Sequence, residues 1–208
     1  MHDMHKTGSS VQDARGATLS DAETQAHPSG PSTALRLIFA AVAVAGYALD
    51  QVTKALAAAH LTPGEPRHLI GSLLRLNLTR NPGAAFSTGT SHTVFFTLLA
   101  IVALVVTCWF ALRAGTRLWA VALGVLAAGI AGNLTDRILR APRGFSGHVV
   151  DFLELPHWPI FNVADICINV AAVLILILAW RGVRLSGAPA PAERSAQTPD
   201  ETPDEEQS

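Results

Sequence analysis

Four apolar runs decide what this chain can become. Thr93 to Leu112 and Leu118 to Thr135 carry no charge at all, Leu37 to Leu49 lies between Arg36 and Asp50, and Ile166 to Trp180 follows Asp165. Crossing about 30 Å of hydrocarbon takes roughly 20 helical residues. The first and fourth runs therefore span only if the helix continues through their flanking charges. Half of the 208 residues are hydrophobic and 15% are charged, whereas a soluble domain carries about 25% charged residues. The expected fold is an integral membrane protein, mainly α, with four transmembrane helices. The first run starts too far into the chain for a cleaved signal peptide and reads as a span that stays. The net charge of −1 offers no basic patch for nucleic acid.

The spans lie within residues 34–185. Residues 1–33, rich in Ser, Gly, Thr, Ala and His, and residues 186–208, rich in Pro, Ala and acid, lack the apolar surface to offset ordering entropy and read as disordered tails. In an up-down bundle of four spans both termini fall on one side. The polar residues gather on the other: Asp50 and Lys54 end span 1, Asn133, Asp136 and Arg137 end span 3, Asn162 and Asp165 begin span 4, and Asn81 precedes span 2. Arginine does not name either side, since Arg36, Arg113, Arg117, Arg181 and Arg184 flank one and Arg67, Arg75, Arg80, Arg137, Arg140 and Arg143 the other. Partial alternation from His68 to Ser87 suggests short strands. Pro142, Gly144 and Gly147 interrupt the third connection, where Phe152, Leu155, Trp158 and Pro159 suit a segment lying at the membrane interface. Gly124, Ala128 and Gly132 place small residues on one stripe of span 3, which favours close helix contact.

Ionisable residues at membrane depth are costly and are candidates for function. Asp50 and Lys54 stand four apart with the acid first, the favourable order for a pair, and mutual neutralisation competes with substrate contact as their role. Asp136 beside Arg137 has a structural reading of similar weight. Asp151, set between valines and Phe152, and Asp165, within span 4, have no local compensation, so a catalytic role leads for both. No HExxH motif is present, and the histidines are scattered. Ser146 in GFSG lacks the strand context of a nucleophile elbow, and Cys108 and Cys167 read as buried hydrophobes. Two carboxylates remain as the economical pair.

The segments DQVTK (Asp50 to Lys54), NPGAAFS (Asn81 to Ser87), AGNLTDR (Ala131 to Arg137), VVDF (Val149 to Phe152) and FNVAD (Phe161 to Asp165) resemble, in order, the signatures of the signal peptidase II family. The resemblance implies four transmembrane helices with a small extracytoplasmic β-cradle from the first outer loop and a short interfacial helix in the second. It implies Asp151 and Asp165 as the catalytic pair, supported by Asp50, Lys54, Asn81, Asn133, Asp136, Arg137 and Asn162. It also implies a diacylglyceryl-modified prolipoprotein as substrate, cut before the modified cysteine. The setting implied is the bacterial cytoplasmic membrane, with an outward-facing site, cytoplasmic termini, lipid as surroundings and a monomeric enzyme that needs no cofactor or metal. The rival reading is a small transporter or proton carrier relaying through Asp50, Asp136 and Asp165; a structural subunit would not need Asp151 and Asp165 together. A GxGD-type protease is set aside because that motif does not occur.

Overall fold

The computed structural model describes residues 32–83 and 90–187. The expected tails, apart from their inner edges, and the second half of NPGAAFS lie outside the described residues. Helix α1 (Thr33–His60) starts one residue before the expected boundary and runs unbroken through Asp50 and Lys54, which settles how its short apolar run gains length: at 1.5 Å per residue it extends about 42 Å. Helices α2 (Thr90–Ala111), α3 (Arg117–Leu139) and α4 (Val163–Trp180) follow. All four are long and apolar enough to cross a membrane.

Helix α3 is the axis of the bundle. It packs against α1, α2 and α4, and its buried positions are mostly Ala, Gly and Leu. The outer helices present Leu37, Val44, Phe95, Val102, Val105, Val173 and Leu176 outward. An apolar surface of this extent suits hydrocarbon and would drive association in water. The small-residue stripe of α3 faces α1: Gly124 lies under Phe39 and Val42, Ala128 meets Gly46, and Gly132 abuts the carboxylate of Asp50. Gly129, on another edge, lets α3 approach the backbone of Ala164 in α4.

The loops that follow α1 and α3 join in one antiparallel sheet of order β1-β2-β3, with β1 at Arg67–Ile70, β2 at Leu74–Asn81 and β3 at Val149–Glu154. In the β2–β3 register Thr79 pairs with Asp151 and Asn81 with Val149. Leu78, Val150 and Phe152 bury one face of the sheet against Ala57 of α1, so the intervening Asp151 points the other way. The short interfacial helix expected in the second outer loop does not form among the described residues; strand β3 and a turn occupy that stretch. Val149, Val150 and Phe152 favour strand, and β2 offers β3 an edge to pair with. Pro156 and Pro159 then remove the backbone donors that a helix would need. Phe161 closes the turn by pairing with Leu153 in both directions, at 2.9 and 2.8 Å.

A methyl group at position 132 would press on the Asp50 carboxylate. Gly132→Ala is therefore expected to destabilise the protein by about 1–3 kcal/mol, read as a lowered thermal midpoint in detergent. Gly64→Asn, at a left-handed position with open space around it, should leave that midpoint nearly unchanged.

Candidate active site

Asp50 and Lys54 face α3 from successive turns of α1, and both are 0% exposed. The Lys54 ammonium has three hydrogens and meets three acceptors: Asp50 Oδ2 at 2.9 Å, Asp136 Oδ2 at 3.1 Å and Asn133 Oδ1 at 2.9 Å. The second oxygen of Asp50 accepts the backbone N–H of Ala164 at 2.8 Å. Asp136 Oδ2 accepts the N–H of Val150 at 3.0 Å, and its Oδ1 accepts Arg140 Nε. Each buried carboxylate thus grips the residue immediately before a candidate catalytic aspartate: Ala164 before Asp165, and Val150 before Asp151.

The candidate pair is held by amides. Asp151 Oδ2 accepts Asn81 Nδ2 at 3.0 Å and Oδ1 accepts Asn162 Nδ2 at 2.6 Å. Asp165 Oδ1 accepts Asn133 Nδ2 at 2.8 Å. Asn162 is the N-cap of α4 and Asp165 its third residue; each side chain accepts the other's backbone N–H at 3.1 Å, a reciprocal cap that fixes the first turn. The Asn162 amide also reaches Asn133 Oδ1 at 3.1 Å. One connected network therefore joins Asp50, Lys54, Asn133, Asp136, Asn162, Asn81, Asp151 and Asp165.

Asp151, Asp165 and Asn81 open onto a single cavity of about 460 Å³, whose apolar wall includes Trp158, Ile160, Ile166 and Val170. Burial pushes the Asp151 carboxyl up to about 6, the charge of Asp165 adding to the rise, while bonds from Asn81 and Asn162 and the charge of Lys54 act in opposition. Arg137 stands beside the network. Its Nη1 is buried with no hydrogen-bond partner among the described residues, and it lies against Gly83, where a side chain would collide with it. Gly83 has φ of 93°, and its N–H is held by Asn81 Oδ1 at 2.8 Å, so the first loop comes down onto Arg137.

Sequence reasoning missed three supports. Arg140 neutralises Asp136 from four residues along α3, a spacing that could have revealed it, whereas the adjacent Arg137 makes no such pair. Gln51 donates to Asp50 Oδ2 at 3.0 Å and to the Gly132 carbonyl at 3.1 Å. Asn169 lines the cavity.

Two carboxylates on one cavity, oriented by fixed amides at the end of an apolar helical bundle, define the class: an aspartic peptidase built into a membrane. The family profile described as signal peptidase (SPase) II matches residues 42–181, and the chain belongs to that family. It is 43% identical over 152 residues to the lipoprotein signal peptidase of Leifsonia xyli, covering 73% of this chain and 70% of that protein. It is 41% identical over 199 residues to the one from Mycolicibacterium smegmatis, covering 93% and 81%. Two solved bacterial membrane enzyme structures share the fold with TM-scores of 0.63; they are 28% and 29% identical, covering 74% and 72% of this chain and 92% and 95% of theirs. The chain is a multi-pass membrane protein.

Lys54→Met would strand the buried Asp50 carboxylate without a cation and leave Asp136 with Arg140 alone. A loss of about 3–5 kcal/mol is expected, seen as a large fall in thermal midpoint. Arg75→Ala breaks the half-exposed pair with Glu154 at 2.7 Å and should cost less than about 1 kcal/mol.

Proposed function

We propose that this chain removes the signal peptide from diacylglyceryl-modified prolipoproteins, cutting before the lipidated cysteine with Asp151 and Asp165 as its catalytic pair. The observation that carries this reading is the single cavity shared by both carboxylates, with Asn162 bonded to each. The names of the relatives supply the substrate class. The enzyme works as a monomer in the bacterial cytoplasmic membrane. Its site lies near the outer face, both termini lie inside, and membrane lipid surrounds it.

Like charges facing one cavity resist ionising together, so the pair shares one proton. The ionised member takes a proton from a water molecule as that water attacks the scissile carbonyl. The protonated member donates to the carbonyl oxygen, which carries the developing charge. Collapse of the tetrahedral intermediate breaks the C–N bond, and the amine leaves with a proton returned by the pair. Asn133 and Asn162 orient the carboxylates, Asn81 ties the first loop to Asp151, and Arg137 offers to substrate the N–H that has no partner among the described residues. The carrier reading is disfavoured because Asp50, Asp136 and Asp165 meet at one end of the bundle instead of forming a path across it.

The test is cleavage of a purified lipid-modified prolipoprotein in detergent. Asp151→Asn and Asp165→Asn should each fold and lose roughly 10²–10⁴-fold in rate; normal cutting by either variant would remove that residue from the pair. The pH dependence follows from Asp151. Below about 6 its acid form is populated, and as pH rises through that value the shared proton is lost, so kcat/KM should fall. The bond from Asn81 favours the ionised form, so Asn81→Ala should move this limb to higher pH, measured as the midpoint of the rate profile.

A further inference from the structure

Beyond its first turn α4 is apolar except for the Cys167 thiol and one amide, Asn169. It stands four residues after Asp165, about 6 Å further along the helix axis, on the wall of the same cavity beside Ile166 and Val170. Its Nδ2 donates to the backbone carbonyl of Asp165 at 2.8 Å. That bond fixes which way the amide faces, because a carbonyl accepts from Nδ2 and repels Oδ1. The carbonyl oxygen of the side chain is left without a partner among the described residues. Asn169 is exposed on a helix apolar enough to cross a membrane, so wherever water does not reach it an acceptor without a donor is costly, and a leucine here would avoid the cost. The Asp165 carbonyl does not require the side-chain bond, since it already lies in reach of the helical N–H of residue 169.

The free atom selects the chemistry of its ligand. It is an acceptor, so it needs a donor. The acyl chains and ester groups of a diacylglyceryl cysteine carry none, whereas a peptide backbone carries N–H groups. A signal peptide that leaves its helix to present an extended bond to two carboxylates loses intrahelical partners in that stretch, and hydrocarbon supplies no replacements.

We infer that Asn169 is a substrate-binding residue whose Oδ1 accepts a backbone N–H from the last residues of the signal peptide, on the membrane side of the bond cleaved at Asp151 and Asp165. The inference rests on the prolipoprotein reading above and names a contact within it. The contact holds the peptide one helical turn from the catalytic pair, so that the scissile carbonyl arrives at fixed depth.

The test compares the full-length enzyme with Asn169→Leu on two kinds of substrate. One is a lipid-modified prolipoprotein; the other is a set in which single amides among the final signal-peptide residues are replaced by esters, removing one N–H at a time. Asn169→Leu should lose about tenfold in kcat/KM on the amide substrate, with a thermal midpoint equal to or above that of the parent. One ester substrate should cost the parent a similar factor and cost Asn169→Leu nothing further. Unchanged kcat/KM in Asn169→Leu would overturn the inference. So would a loss accompanied by a lowered midpoint, which would make Asn169 a structural tie to Asp165, and so would equal sensitivity of both enzymes to every ester. A parent enzyme that cuts no prolipoprotein at all would sink the functional reading and this contact together, a result distinct from a variant that cuts as well as its parent.

Discussion

The ammonium of Lys54 is the point on which the site depends. It stands between two carboxylates that are wholly buried, Asp50 and Asp136, and spends its third hydrogen on Asn133. A buried ion cluster of this kind adds little net stability over well-packed apolar side chains, because removing the charges from water costs about as much as their attraction returns. What it supplies here is position. Asp50 grips the backbone ahead of Asp165 and Asp136 grips the backbone ahead of Asp151. Strand β3 and the start of α4 are thereby brought to one place by a lysine that bonds to neither Asp151 nor Asp165.

The membrane bundle exists in a form that permits this. Small residues on α3 allow α1 to come close enough for Asp50 to lie against Gly132, and a larger side chain at that point would push the whole cluster apart. The sheet serves the same end from outside. Its buried face, with Leu78, Val150 and Phe152 on Ala57, presses β3 onto α1, and the alternation of a strand turns Asp151 into the cavity. Asn162 completes the arrangement by capping α4 and bonding to Asp151 with one side chain. The rigid supports lie on helices and a strand, whereas Arg137, against Gly83 of the first loop, keeps an N–H with no partner among the described residues.

Much of this was legible in the sequence because burying charge leaves a mark in composition. Four apolar runs gave the spans, and uncompensated Asp151 and Asp165 stood out against their surroundings. Strands in the first loop were visible as alternation. The second loop differs from the short helix that the resemblance implies: its aromatic and apolar residues suit an interfacial segment of either kind, and the edge offered by β2, which is remote in sequence, makes it a strand. Partner choice was hidden for the same reason. Asp136 has Arg137 next to it, yet adjacent residues on a helix point in different directions, so its cations come from Lys54 on another helix and from Arg140 one turn away. Asn169 carried only the faint signal of an amide in an apolar span.

The most direct test of this account separates the charge of the cluster from its grip on the backbone. Prolipoprotein cleavage should be compared between Lys54→Met and the triple variant Asp50→Asn, Lys54→Met, Asp136→Asn. Asparagine oxygens can still accept the N–H groups of Ala164 and Val150, while the triple variant buries no carboxylate without a cation in this cluster and leaves unpaired only Arg140, whose side chain is a quarter exposed. The account predicts that Lys54→Met alone is inactive and that the triple variant regains folding and measurable cleavage. Full activity in Lys54→Met, or a triple variant that folds well and still cuts nothing, would contradict it.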